Sequence, residues 1–600
     1  MNLKKLPAYK FFLVGALLCG LVSFHCGGDA AFPRSKTLYL AGSQWGGPNT
    51  FNPLSNMPDF PVGGNYNLMY EPLMAFNSLS GEMEPLLAKS VESSDEKVSV
   101  IMDSRAQWSD GEPLTAADVK FTYDLSREYR SAPTRFVLDY ISEVKIDTII
   151  DEETEEGFER VSFYINEERN NPLVVMDFLQ SVRIIPKHVF EAELAQVDEF
   201  RSIQEKKFDE NPVISGPYNL HSYSSERIVL ERREDYWGNE ALFDGRLPQP
   251  KFIIHPIYRS NDAFGVALNQ GNLDFTSTFI PRIQQRFRHQ IATWYDEEPY
   301  YLPASIPMLM INNNRHHLAD RNVRRAMAFA INYEDIRELA VSGYSPELKA
   351  GLVLPFGIEE PYFSEEDIEE LGTYYNPEKA KQILADAGYT SEFDDNGNLV
   401  EMRGPDGEKL PTLSVTSPAG WTDWESMVRI AVRGMRAVGI DVREGFVDAS
   451  QYWQVMPVGE FDLLMHTPST SVTPSKPWSR FNEVMSSRNW SPEGERMNEN
   501  QGRYNDPSSE NYNPAVDSLL NVIPNLTEKE QRVAAYRELN RIFMKDQPTL
   551  PMVYRPEQYY TFSTRHWENF PTAENPYAPP QPLTFGIGTR ILWELTSAAE

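Results

Sequence analysis

Trp108-Ser109-Asp110-Gly111-Glu112-Pro113-Leu114-Thr115-Ala116-Ala117-Asp118-Val119-Lys120-Phe121 reads first as local structure. Asp110-Gly111 is a turn dipeptide, with Gly supplying the positive φ that a tight turn needs. Thr115 is placed to cap a helix, and Asp118 falls in that helix's first turn, where the macrodipole favours an acid. These residues build a scaffold and carry no reactive pattern.

Further along, four helices announce themselves by cap and stripe. Asp320 precedes Val323, Met327, Ala330 and Ile331, an apolar face behind a capping residue. Asn376-Pro377 opens a second helix with a cap and a first-turn proline; Ala380, Ile383, Leu384 and Ala387 form its stripe and Gly388 ends it. Thr422 and Glu425 form a capping box ahead of Val428, Ala431, Met435 and Val438, with Gly439 as the stop. Thr527 and Glu530 repeat that device ahead of Val533, Tyr536 and Phe543. Short strand-like runs such as Lys36-Thr37-Leu38-Tyr39-Leu40 and Arg227-Ile228-Val229-Leu230-Glu231 alternate with the helices, which predicts a mixed α/β architecture.

The chain has 600 residues, a length whose soft prior is about four domains. It shows neither an internal repeat nor a low-complexity linker, so its body reads as one multi-lobed unit. Asp and Glu number 87 against 56 Lys and Arg, a net charge of -31, which disfavours nucleic acid because that polymer rewards basic patches. Both cysteines, Cys19 and Cys26, lie near the N-terminus, leaving the body without a disulfide or a thiolate metal site. Lys4, Lys5 and Lys10 precede the apolar run Phe11 to Val22, the layout of an export signal and too short to span a bilayer comfortably.

The opening motif resembles the signature of family 5 extracellular solute-binding proteins, the dipeptide and oligopeptide type that serves ABC importers. Ser215-Gly216-Pro217-Tyr218 with Glu234-Asp235-Tyr236-Trp237-Gly238, and Asp320-Arg321-Asn322-Val323-Arg324-Arg325-Ala326, are similar to two further motifs of that family, in the same order. The resemblance implies a periplasmic-binding-protein type II clamshell. One lobe would combine residues 36–65, 205–300 and 541–600, an extra lobe would span 66–204, and the second main lobe 301–540. It implies binding without catalysis or cofactor, by a monomer that delivers its ligand to ABC permease subunits in the membrane. Cys26 followed by Gly27-Gly28 resembles a lipoprotein cleavage site, so residues 1–26 would be the lipoprotein signal, cut ahead of Cys26, and Cys26 would be lipidated outside the cytoplasm. Ser23-Phe24-His25 departs from the aliphatic and small residues usual before that cysteine.

The ligand expected is a short oligopeptide or oligosaccharide. Peptide binders of this family often hold the ligand's ammonium with an aspartate after a strand of the second lobe, here similar to Phe461-Asp462-Leu463-Leu464-Met465. The segment that follows, 467–478, contains no acid, and its only charge is Lys476. Ser43-Gln44-Trp45-Gly46, Asn52-Pro53-Leu54, Ala419-Gly420-Trp421-Thr422-Asp423-Trp424 and the segment 569–578 resemble the family branch that takes up oligosaccharides. Pyranose C–H faces stack on flat rings, while their hydroxyls need Asn, Gln, Ser or Thr. Trp45, Trp421 and Trp478 are therefore the ligand-stacking candidates, with core packing as the competing role for each; Trp424, inside a first helical turn, reads as packing.

Rival functions are weaker. Paired carboxylates hydrolyse glycosides only at a set spacing, and so many acids make chance pairs uninformative. His316-His317 reads as a surface pair, and Asp394-Asp395-Asn396-Gly397-Asn398 as a plain turn, because Pro405 stands where a calcium loop needs its last carboxylate. No nucleophile elbow or phosphate-cradling loop occurs. A membrane-tethered sensor or adhesin of the same fold is the remaining alternative.

Overall fold

The structure, a computed structural model, describes residues 32–150, 157–468, 472–488, 490–497 and 499–598. The expected export signal, within residues 1–26, and Cys26 lie outside those residues. Among them, no helix is long and apolar enough to cross a membrane.

Four of the five residues of the strand Thr37–Ala41 are buried, which suits a strand flanked on both sides. It sits inside a seven-stranded sheet ordered Ile291–Ala292, Thr561–Ser563, Phe275–Thr276, Thr37–Ala41, Phe252–Pro256, Arg227–Arg232, Tyr218–Tyr223. Thr37–Ala41 runs parallel to both neighbours, and the remaining pairs are antiparallel. A second sheet of five strands is ordered Val442–Val447, Leu413–Pro418, Leu463–His466, Met308–Ile311, Thr549–Pro551. Its Leu413–Pro418 is parallel to both neighbours, whereas the fully buried Met308–Ile311 is antiparallel to both of its own. These mixed sheets, each with helices packed on it, make a two-lobed α/β protein, as predicted. Thr549–Pro551 falls in the range 541–600 expected with the first lobe, yet its ladder to Met308–Ile311 draws it into the second.

An antiparallel four-stranded sheet of Ala88–Ser93, Lys97–Met102, Gly157–Ile165 and Ile141–Ile150 forms a third body. The Trp108 motif fastens it. The Thr115 N–H donates to the Asp118 carboxylate at 2.9 Å, as the cap reading requires, and Asp118 also accepts from the Lys187 N–H at 2.8 Å. Ser109 exchanges hydrogen bonds with Ile214, its N–H donating to the Ile214 carbonyl and its Oγ accepting from the Ile214 N–H. That joins the third body to the Ser215-Gly216-Pro217-Tyr218 motif. A Cβ on Gly216 would lie 2.4 Å from the Leu68 carbonyl oxygen, so only glycine allows the approach. Tyr236 and Trp237 of the next motif donate to the buried Glu71 at 2.6 and 3.3 Å, and burial pushes that carboxyl up to about 7.

The helices Arg321–Ala330 and Pro377–Asp386 carry their predicted caps, Asp320 and Asn376. Arg324 turns from the first of these to donate to the carbonyls of Leu318, Ala319, Asp546 and Gln547, and so satisfies the C-terminal end of the long helix Lys529–Asp546. Two capping boxes differ from expectation. Thr422 is the first residue of its helix, Trp421 holds the cap position, and Glu425 reaches past both to accept from the Gly420 N–H at 2.8 Å. The long helix begins at Lys529 with Glu528 in the cap position, so Thr527 lies outside it. His317 is buried near the Tyr389 ring and so does not belong to a surface pair. Asp394 accepts from the Asn396 and Asn398 N–H groups in a hairpin turn.

Candidate ligand-binding cleft

The chain crosses between the two large sheets through 293–307 and 552–560, and the crossings pair with each other. The Ser305 N–H donates to the Arg555 carbonyl at 2.9 Å and the Arg555 N–H to the Ser305 carbonyl at 3.0 Å. Two paired crossing segments form a hinge about which lobes can turn as rigid bodies.

In the second sheet the three parallel strands Leu413–Pro418, Val442–Val447 and Leu463–His466 end at one edge. In the first sheet, Ser43-Gln44-Trp45 follows the carboxyl end of Thr37–Ala41. Ligands of open α/β sheets bind outside such carboxyl ends, because the loops and helix starts that follow can point polar groups at one place.

Trp45 and Trp421 meet across the lobes. Both are half-buried; their ring centroids are 6.3 Å apart with planes tilted by 36°. Trp45 is held by a bond from its Nε1 to the Gly42 carbonyl at 3.2 Å and by the edge of Phe264 at 5.0 Å. Beneath its loop lies the fully buried His255, whose Nε2 accepts from the Ser43 and Gln44 N–H groups at 3.1 and 3.2 Å. An Nε2 that accepts twice belongs to a neutral ring with its proton on Nδ1, and burial lowers the His255 pKa to about 4. Trp421 stands on Trp424 at 4.8 Å, and Trp424 is buried as expected.

Four buried polar atoms stand at the carboxyl edge of the second sheet or in the helix that follows it. Ser417 Oγ, Thr467 Oγ1, Asp423 Oδ2 and Trp424 Nε1 make no hydrogen bond within the protein. All four follow or end strands at the carboxyl edge. An unsatisfied buried group costs about 1–3 kcal/mol, so a polar guest that reached these atoms would be stabilising. Arg555 Nη2 approaches Asp423 Oδ2 at 3.4 Å, an attraction of charges without hydrogen-bond alignment. Burial raises the Asp423 pKa against the pull of that guanidinium. The Arg555 guanidinium also covers the Tyr559 ring at 4.7 Å, so one hinge residue touches the start of the helix that follows Trp421.

Trp478 is elsewhere. It is the first residue of the helix Trp478–Met485 and is 3% exposed, and its Nε1 donates to the Leu520 carbonyl at 2.8 Å. It packs in the core and is not brought to the Trp45–Trp421 pair.

The loop after Leu463–His466 holds what its sequence hides. It has no acid of its own, but Asp177 of the third body accepts from the Ser475 N–H at 3.1 Å and from the Ser475 hydroxyl. Glu557, from the crossing segment, accepts from the Val472 N–H at 3.3 Å and from Gln581 Nε2 at 2.9 Å. Burial pushes Asp177 up to about 7 and Glu557 up to about 6, and pulls Lys476 down to about 7. Two carboxyls therefore flank this loop. No local signal could have named Asp177, which lies 298 residues away in the chain. A cavity of about 320 Å³ adjoins the loop between the lobes, lined among others by Tyr295, Leu302, Leu354, Phe356, Val472 and Lys476.

Residues 82–492, more than half of the chain, match the model of bacterial extracellular solute-binding proteins, family 5, middle region. The chain belongs to this family. This family 5 protein is 24% identical to a probable peptide-binding protein, YejA, of Agrobacterium fabrum, over 90% of its own length and 87% of that protein. It is also 24% identical to the peptidoglycan-binding protein YepA of the same species, over 82% and 80% of the two chains. Its fold superposes on a mannohexaose-bound periplasmic oligopeptide-binding protein of an ABC transporter from Thermotoga maritima with a TM-score of 0.80, at 29% identity, covering 95% and 100% of the two chains. The oligopeptide-binding protein AppA of Bacillus subtilis, solved with a nonapeptide, shares the fold at a TM-score of 0.69 and 20% identity, over 94% and 99%. The family 5 protein is thus the substrate-binding component of a peptide-type ABC importer. It works by binding outside the cytoplasm and not by catalysis.

Proposed function

We propose that this family 5 protein captures a short neutral oligosaccharide between its lobes and presents it to the permease. One observation carries the reading. Trp45 of the first lobe and Trp421 of the second meet with ring centroids 6.3 Å apart, at the carboxyl edge where Ser417, Thr467 and Trp424 have atoms that lack protein partners. Flat rings from both lobes suit the C–H faces of a pyranose, and the unpaired groups suit its hydroxyls. A sugar ring enters between them when the lobes part, and the closed form that holds it keeps these two rings further apart than the 6.3 Å seen here. A ligand that contacts both lobes has greater affinity for the closed form, and that difference drives closure. The seven-stranded sheet with its helices forms one jaw and the five-stranded sheet with its helices the other; the third body is fastened to the first by the Ser109–Ile214 bonds and meets the second at Ser475 through Asp177. The mannohexaose bound to the Thermotoga maritima relative supports the same chemistry.

Asp177 and Glu557 favour a second reading, an oligopeptide whose ammonium is met by carboxyls from outside the acid-free loop. Calorimetry of the purified protein against mannose oligomers and against short peptides separates the two. If sugar is the ligand, Trp421→Ala weakens mannose oligomers by about 30-fold, the loss of roughly 80 Å² of ring contact at ~25 cal/mol/Å². Tight binding of a free-amino peptide, lost on amine acetylation and unchanged in Trp421→Ala, overturns the sugar reading.

We further propose that the protein is exported as a monomer and tethered by lipid at Cys26. Cys26→Ser then shifts it from the detergent phase to the aqueous phase, and a variant that stays in detergent refutes the anchor.

A further inference from the structure

The second lobe carries a file of rings that continues past the Trp45–Trp421 pair. Trp421 lies 4.8 Å from Trp424, Trp424 6.5 Å from Tyr452, and Tyr452 4.9 Å from Trp453, centroid to centroid. The middle members are core. Trp424 and Tyr452 are buried, and the Tyr452 hydroxyl donates to the Met465 carbonyl at 3.0 Å, which pins its ring to the carboxyl end of Leu463–His466.

Trp453 differs from them. It is 48% exposed, on the helix Ala449–Val458 that directly follows the carboxyl end of Val442–Val447. It therefore stands at the same edge as Trp421, one parallel strand further out. An isolated exposed apolar residue needs no explanation. This one is the largest side chain available, and its ring is held edge-on by Tyr452 with an interplanar angle of 81°. A flat ring fixed at one edge and open on its surface is what a sugar unit lying on a protein uses. The core explanation that accounts for Trp424 and Tyr452 does not reach Trp453, because nearly half of its surface is open.

We propose that Trp453 is an outer stacking platform that sets ligand length: an oligosaccharide held at its inner units by Trp45 and Trp421 runs out along the second lobe and lays a later unit on Trp453. This rests on the oligosaccharide reading above and adds to it a preference for longer chains. Trp453 acts only on units beyond the clamp, so its contribution depends on chain length, whereas that of Trp421 does not.

The test is calorimetry of the purified protein with mannose oligomers of two and of six units, comparing the unaltered protein with Trp453→Ala, Trp453→Phe and Trp421→Ala. Trp453→Ala weakens the six-unit ligand by about tenfold and leaves the two-unit ligand within about twofold, whereas Trp421→Ala weakens both. Trp453→Phe restores most of the six-unit affinity, because it keeps a flat ring. Unchanged six-unit affinity in Trp453→Ala overturns the proposal, and so does an equal loss for both lengths, the mark of a merely structural role. If the unaltered protein binds neither oligomer, the oligosaccharide reading itself fails and takes this inference with it, a result distinct from the other two.

Discussion

Replacing His255 by Gln tests whether a buried neutral imidazole holds the loop that presents Trp45. Glutamine places an oxygen near the former Nε2, able to accept from the Ser43 and Gln44 N–H groups, and it does not titrate. The His255 pKa is lowered from the ordinary 6.5 to about 4 by burial. The folded protein therefore binds this proton less readily than the unfolded chain. Stability contributed by the neutral ring is fully present above pH about 6.5, and it is lost as pH falls toward about 4. The linkage gives a loss of about 2 kcal/mol by pH 5 and about 3 kcal/mol below pH 4. Buried Glu71, Asp177 and Glu557 have raised pKa values and titrate in the opposite sense over part of that range, so the raw stability profile mixes the two. Subtracting the His255→Gln profile from that of the unaltered protein cancels the carboxyls and leaves the imidazole. Urea unfolding followed by tryptophan fluorescence at pH 7, 6, 5 and 4 supplies both curves. The gap between them should shift by about 2 kcal/mol in favour of His255→Gln between pH 7 and pH 5. Parallel curves would refute the buried neutral ring, and with it the account of how the Trp45 loop is held.

Asp177→Asn should remove a slope of opposite sign: with its pKa raised to about 7 by burial, Asp177 contributes stability that is present at acid pH and lost as pH rises through about 7, readable as a flatter stability profile from pH 5 to 8 in the variant. The bidentate pair of Arg480 with Glu359, at 2.7 and 3.0 Å, is buried on both sides. Arg480→Met alone should cost about 3–5 kcal/mol in urea unfolding, while the double variant with Glu359→Leu recovers most of it, since the penalty lies in the charge left behind. Gly216→Ala should lower thermal stability by about 1–3 kcal/mol through the clash with the Leu68 carbonyl, and an unchanged melting point would show that the third body can shift to make room.

The sequence by itself determined the α/β class, the helix starts at Asp320, Asn376 and Thr115, and the family. Each of these rests on signals within a few residues: a cap, a stripe at helical spacing, a turn glycine, a run of motifs in order. Even there, the box at Thr422 shifted, because Glu425 found the Gly420 N–H instead. Tertiary structure alone decided which tryptophans meet. Trp45, Trp421 and Trp478 shared one signal in sequence, a Gly-, Pro- or Ser-rich loop beside a strand end; the parallel order of strands around Leu413–Pro418 and Thr37–Ala41 brings the first two together, and a helix start carries the third into the core. The acid-free loop likewise promised a site without carboxylates, yet Asp177 and Glu557 reach it from other parts of the chain. Local patterns report backbone preference and amphipathicity, which act between near neighbours. A binding cleft between lobes is made of contacts between distant segments, and sheet order and hinge pairing choose those only after the chain has folded.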